Sequence, residues 1–362
     1  MRRLIILICV LFFVGDTFAE NVVLINGTII DGTGKARAAG NVRVRDGKLA
    51  DIGVFKPMPG ETTLDVKGMI VAPGFIDLQN VSPATLEKDL GAAAIAQGVT
   101  TAVLGSDGNG PYSIEDFMLP FDDKPAALNI AMLVGHGTVR RQIMGADYKR
   151  AATSDEVERM SELVADAMKQ GAFGLGSDLQ QEPASFSVTD ELMVLAKTIA
   201  RFGGTLAMRP RDDALKEALD VARSSKAPVQ ISRATLGAAA LAEIDKARAQ
   251  GVDVAAYAYA MTESGPDLRR LVQNASVAMT LSQYIRDDKA ITLERAVQKM
   301  SSLPASRLGL RERGVLKRGA PADIAVFNPL ALAAGMKYVF VNGTLVIKDG
   351  EPTSARPGQA LR

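Results

Sequence analysis

Val23-Leu24-Ile25-Asn26-Gly27-Thr28-Ile29-Ile30, followed by Asp31-Gly32, has a counterpart near the other end of the chain. There stands Val339-Phe340-Val341-Asn342-Gly343-Thr344-Leu345-Val346, followed by Lys348-Asp349-Gly350. Each reads as an apolar strand, an Asn-Gly turn of type I′ and a second strand, because that turn needs positive φ at both central positions. Both Asn-Gly-Thr triplets also fit a glycosylation sequon, but turn chemistry accounts for them. Asn41 to Val54 adds another short strand pair, turning at Asp46-Gly47. One pattern at both ends predicts a small β-sandwich domain formed from both termini, residues 20–70 and 313–362. It would wrap around a central domain at 71–312.

The centre alternates strands with helices. The strand candidates are Met69–Leu78, Thr100–Leu104, Leu128–Val134, Ala172–Leu175, Thr205–Met208, Pro228–Ser232, Val252–Tyr257 and Ser276–Leu281. Between them lie helix-period segments such as Ser154–Lys169, Thr189–Arg201 and Ala214–Ser224, with Ser154 and Thr189 as expected N-caps. Most of the strands are near-continuous apolar runs, which suits a parallel sheet covered by helices. Eight such units fit an α/β fold of the (β/α)8 TIM-like barrel type. A doubly wound open sheet meets the same periodicity.

Arg2 and Arg3 precede an apolar run, Leu4 to Val14, that is too short to span a bilayer. Thr17-Phe18-Ala19 then resembles a signal-peptidase site, so residues 1–19 are expected to be a signal peptide and the mature chain to start near Glu20. This predicts an exported protein, periplasmic or secreted, with no membrane association once the signal is removed. The only cysteine, Cys9, lies inside the signal, so the mature chain is expected to have no disulfide, no thiolate nucleophile and no zinc–sulfur site. Basic and acidic residues balance at a net charge of +1, without a basic tract, which excludes nucleic acid as a partner.

Several motifs together resemble the amidohydrolase superfamily, in its N-acyl-D-amino-acid deacylase (D-aminoacylase) branch. They are Ala72-Pro73-Gly74-Phe75-Ile76-Asp77, Gln97-Gly98-Val99-Thr100-Thr101, Gly135-His136-Gly137-Thr138-Val139-Arg140-Arg141 with Met144-Gly145, and Gly171-Ala172-Phe173-Gly174-Leu175. The run Ala296-Val297-Gln298-Lys299-Met300 to Leu308-Gly309-Leu310, then Ala322-Asp323-Ile324-Ala325-Val326-Phe327, extends the match in the family's order. The resemblance implies a distorted barrel with a terminal β-sandwich, and hydrolysis of a non-peptide C–N bond by a zinc-activated water.

The residues that would hold that zinc are replaced. The family's His-x-His after its first barrel strand corresponds to Gln79 and Val81, and two later histidines correspond to Arg209 and Arg233. A guanidinium is permanently cationic and cannot ligate a metal. The family's Ser-Asp pair after the last strand is met here by Ser282-Gln283-Tyr284, with no aspartate before Asp287. The stretch between Met261 and Thr292 is shorter than the family implies. Asp107, where some relatives carry a ligating cysteine, is a weak metal candidate that fits a turn better; with Asp77 it makes a thin site for magnesium or calcium. No cofactor is therefore predicted.

His136, the only histidine, is either a substrate-contacting loop residue or the group that orders its glycine turn. His136, Arg140, Arg209 and Arg233 are the substrate-binding candidates, and the expected partner is a small anionic molecule such as an acyl-amino acid. A GxSxG elbow is absent, and Gly105-Ser106-Asp107-Gly108-Asn109-Gly110 lacks the lysine of a phosphate loop. Three readings stand: an exported, catalytically inactive deacylase relative that binds an anion; an active hydrolase with a non-histidine metal site or altered mechanism; and a structural scaffold or partner subunit.

Overall fold

The computed structural model describes residues 21–81, 91–211, 215–232, 238–257, 292–331 and 335–362. The predicted signal peptide, Arg233, Asp212, Asp213, the strand Ser276–Leu281 and Asp287 lie outside the described residues.

Nine strands from the two ends of the chain share one sheet. The first five are β1 (Val22–Ile29), β2 (Ala38–Arg45), β3 (Lys48–Gly53), β4 (Thr62–Asp65) and β5 (Ile70–Pro73). Late in the chain come β14 (Ile324–Phe327), β15 (Tyr338–Val341), β16 (Thr344–Lys348) and β17 (Glu351–Pro352). The halves join where β5 pairs antiparallel with β14.

Asn342-Gly343 makes the expected two-residue turn: Val341 pairs with Thr344, and both turn residues have positive φ. Asp46-Gly47 does the same between β2 and β3. Asn26-Gly27 does not. β1 runs straight through it as one strand, with a bulge that sets two residues against Asn41. The reason is pairing on both flanks. Val22 to Ile25 lie beside β4, Thr28 and Ile29 lie beside β5, and Asn26, at φ 63°, sits where the partner changes. Its side chain donates to Asp65 and its N–H to Asn41. The same dipeptide thus serves as a turn at one end and a bulge at the other.

Eight parallel strand segments follow in chain order. β6 (Phe75–Val81), β7 (Val99–Leu104) and β8 (Asn129–Met132) form one sheet. β9 (Val134–Gly135), β10 (Gly174–Asp178), β11 (Thr205–Arg209), β12 (Val229–Ser232) and β13 (Val254–Tyr257) form the next. Only Leu133 separates β8 from β9, so the sheets are continuous through that segment. The molecule is thus a mixed α/β fold with a separate sheet-rich part.

Two expectations need correction. Met69–Leu78 is not one strand: Gly74 divides β5 from β6, and a side chain there would collide with Thr100, 2.2 Å away. The helix N-caps are Thr153 and Val188, one residue earlier than expected. Thr153 closes a capping box with Glu156, while Thr189 instead bonds Glu217.

Two hydrophobic cores meet at β5, β14 and β15. Val71, Ile324, Val326 and Phe340 face the small core of the terminal sheet. Ile70, Ala72, Phe327 and Val339 face the larger core under the parallel strands. Strands buried on both faces need apolar side chains at every position, which is why these runs do not alternate.

Candidate functional site

In a sheet of parallel strands, loops at the strands' C-terminal ends carry the chemistry. The loop after β7 lies against β9 and β10, because glycine lets the backbones touch. A Cβ on Gly176 would lie 1.9 Å from the Gly105 carbonyl, and one on Gly135 would lie 2.6 Å from the Gly108 carbonyl. The glycine-rich 105–110 stretch is thus packed against the ends of β9 and β10.

His136 follows β9 and opens the helix His136–Met144. Its ring is fully buried, with Nδ1 2.8 Å from Ser177 Oγ and Nε2 2.8 Å from Glu191 Oε1. The other Glu191 oxygen accepts from Arg140, one turn along the same helix. Arg140 is also fully buried, and its Nη2 donates to the carbonyls of Tyr148, Arg150 and Phe186. One guanidinium therefore ties the loop after its own helix to the loop after β10 and to the helix Thr189–Ala200. Burial pushes the Glu191 carboxyl up, but the bonds from His136 and Arg140 outweigh it and hold it below its ordinary value.

With Glu191 paired to Arg140, a ring hydrogen on Nε2 is donated to Glu191, and Ser177 Oγ then donates to Nδ1. Serine, histidine and acid are the parts of a hydrolytic triad, yet Ser177 has no exposed surface and its acid is already shared with an arginine. The cluster is a strut. Of the two readings of His136, ordering of the turn is what this geometry supports, and Arg140 serves the same strut instead of facing a ligand.

Arg209 is different. It ends β11 beside its register partner Asp178 at the end of β10, and its side chain is 45% exposed. Asp178 is 4% exposed. One of its oxygens accepts from the Gln180 N–H; the other accepts from Gln181 Nε2 at 3.0 Å and faces Arg209 Nη1 at 3.5 Å. Asp178 lies beyond Leu175, where the sequence reading ends this strand; Gly176, Ser177 and Asp178 are turn-type residues, so the sequence carried no signal that the strand runs on.

The remaining candidates separate. Asp107 is exposed and accepts the Asn109 N–H, the turn role expected of it. Asp77 is buried in β6. Gln79 and Val81 lie on the same strand, with side chains outside the described residues. Among the described residues, no three His, Cys, Asp or Glu side chains are grouped to hold a metal ion.

Residues 260–353 match the family model described as "Amidohydrolase family". The D-aminoacylase of Alcaligenes xylosoxydans xylosoxydans is 27% identical over 481 aligned positions, covering 96% of this chain and 98% of the relative. The N-acyl-D-glutamate deacylase of the same organism is 28% identical, covering 94% and 96%. The N-acyl-D-glutamate deacylase of Bordetella bronchiseptica, solved with zinc and a phosphonate inhibitor, superposes with a TM-score of 0.81 at 26% identity, covering 96% and 100%. Over nearly its whole length the chain is similar to the D-aminoacylase branch of the amidohydrolase superfamily. Against 481 aligned positions the chain has 362 residues, so the relative carries segments that it lacks.

Proposed function

We propose that this chain is a deacylase relative that has left zinc hydrolysis and binds a small carboxylate-bearing molecule, such as an acyl-amino acid, at the C-terminal ends of its parallel strands. The observation that carries the reading is Arg209, a half-exposed guanidinium at the end of β11, held by Asp178 on the neighbouring strand. A guanidinium repels a dication and offers it no lone pair. Gln79, Val81 and Arg233 at the other positions that the resemblance assigns to ligands fit zinc no better, so no step of the reaction is routed through a metal.

The sequential parallel strands, seven when β8 and β9 are counted as two pieces of one, support reading the two sheets as arcs of one barrel, with Ser276–Leu281 as its eighth strand and the terminal sheet as part of a sandwich. The same proposal has the chain exported after cleavage near Glu20. Arg209 is half exposed and among the described residues faces one carboxylate, Asp178 at 3.5 Å, so it retains donors for a ligand, and bidentate pairing with a carboxylate is what a guanidinium does best. Calorimetric titration of N-acetylalanine tests this. Binding to wild type that is weakened at least about tenfold in Arg209→Gln/Arg233→Gln supports it, since each charge-assisted bond contributes about 1.5–3 kcal/mol. Equal affinity in both, or none in wild type, refutes it.

A further inference from the structure

We infer, building on that reading of Arg209, that Asp178 is the specificity-determining residue of the strand-end mouth, selecting monoanionic carboxylates over dianionic phosphates. The two members of the pair are unequally held. Asp178 is almost wholly buried, and its carboxylate accepts the Gln180 N–H at 2.9 Å and Gln181 Nε2 at 3.0 Å, two bonds that do not involve Arg209. Arg209 is nearly half exposed and meets Asp178 only at 3.5 Å. A pair this long, with its guanidinium half in solvent, is weak, so Arg209 can turn from Asp178 to an incoming anion at little cost.

Asp178 cannot follow. Its turn fixes it at the end of β10: Leu179 donates to the Arg209 carbonyl, and Gln180 Nε2 donates to the Pro210 carbonyl. The strand ends therefore stay stitched together while the guanidinium moves. An anion on Arg209 then sits beside a fixed buried carboxylate. A monoanion exchanges one carboxylate for another, whereas a dianion adds a second negative charge next to Asp178. Repulsion grows with the charge of the ligand, so the carboxylate wins.

The test is calorimetric titration of N-acetylalanine and of methyl phosphate at pH 7.5, where a phosphate monoester is mostly dianionic, its second pKa being about 6. Wild type, Asp178→Asn and Asp178→Ser are compared; asparagine and serine both keep an acceptor for the Gln180 N–H. The expected result is tighter binding of N-acetylalanine than of methyl phosphate by wild type. Asp178→Asn should tighten N-acetylalanine by about fivefold, the upper worth of a weak, partly exposed pair, and methyl phosphate by more. Rapid modification of Arg209 by phenylglyoxal in Asp178→Asn relative to wild type, located by peptide mapping, should accompany this. An unchanged ratio of the two affinities in both variants, with N-acetylalanine still bound through Arg209, overturns the role of Asp178 and leaves the anion site standing. Absence of binding in wild type and in both variants overturns both.

Discussion

Replacing Glu191 with alanine separates a structural ion pair from a functional one. Glu191, His136 and Arg140 are each 1% exposed or less, and the carboxylate accepts one bond from each of the other two. Removing it leaves the Arg140 guanidinium buried with only carbonyl partners, and Arg140 Nε is already without a partner among the described residues. Stranding one member of a buried pair costs about 3–5 kcal/mol, against a whole-domain stability of about 5–15 kcal/mol. The loss should appear in urea unfolding as a fall in midpoint with little change in slope. The double variant Arg140→Met/Glu191→Ala should be less damaged than the sum of the two single changes, because it removes the stranded charge. A cost for Glu191→Ala below about 1 kcal/mol would refute the strut.

The half-exposed Arg209 should contrast with it: Arg209→Gln is expected to change stability by no more than about 1 kcal/mol in the same assay. Gly176→Ala should destabilise the fold by about 1–3 kcal/mol or prevent folding, because its Cβ would fall 1.9 Å from the Gly105 carbonyl; thermal melting reads this. Thr153→Ala should cost about 1 kcal/mol through loss of the capping box, and Ser154→Ala much less, in parallel melts. The bond from Arg37 holds Glu294 at about 2, below its ordinary 4.5. A depressed folded pKa stabilises the protein above the unfolded value and stops doing so as pH falls through the folded one. The gap in melting temperature between wild type and Arg37→Gln should therefore be full above pH 4.5 and close as pH falls towards about 2.

The alternation of strands and helices was legible because parallel strands under helices need unbroken apolar runs, and those runs stand out in sequence. The shared terminal sheet was legible from its paired Asn-Gly motifs, although only Asn342-Gly343 is a turn. Asn26-Gly27 became a bulge because β1 pairs on both flanks, and that is decided by β4 and β5, far from the dipeptide itself. At the strand ends, residue type revealed that Arg209 cannot act as a metal ligand. It did not reveal Asp178 as the partner, since register between neighbouring strands has no local signature. Residue type left His136 open between substrate contact and ordering of its turn, and offered Arg140 as a substrate contact. The carboxylate that both bond, Glu191, is 55 residues from His136, so no local pattern pointed to it.

Metal content tests the central claim most directly. The protein, purified without chelator, loaded with excess zinc and dialysed exhaustively, is analysed for metal and assayed on N-acyl-D-amino acids. The account predicts no stoichiometric zinc and no zinc-dependent deacylation. One zinc retained per chain, with deacylation that chelation abolishes and zinc restores, would contradict it.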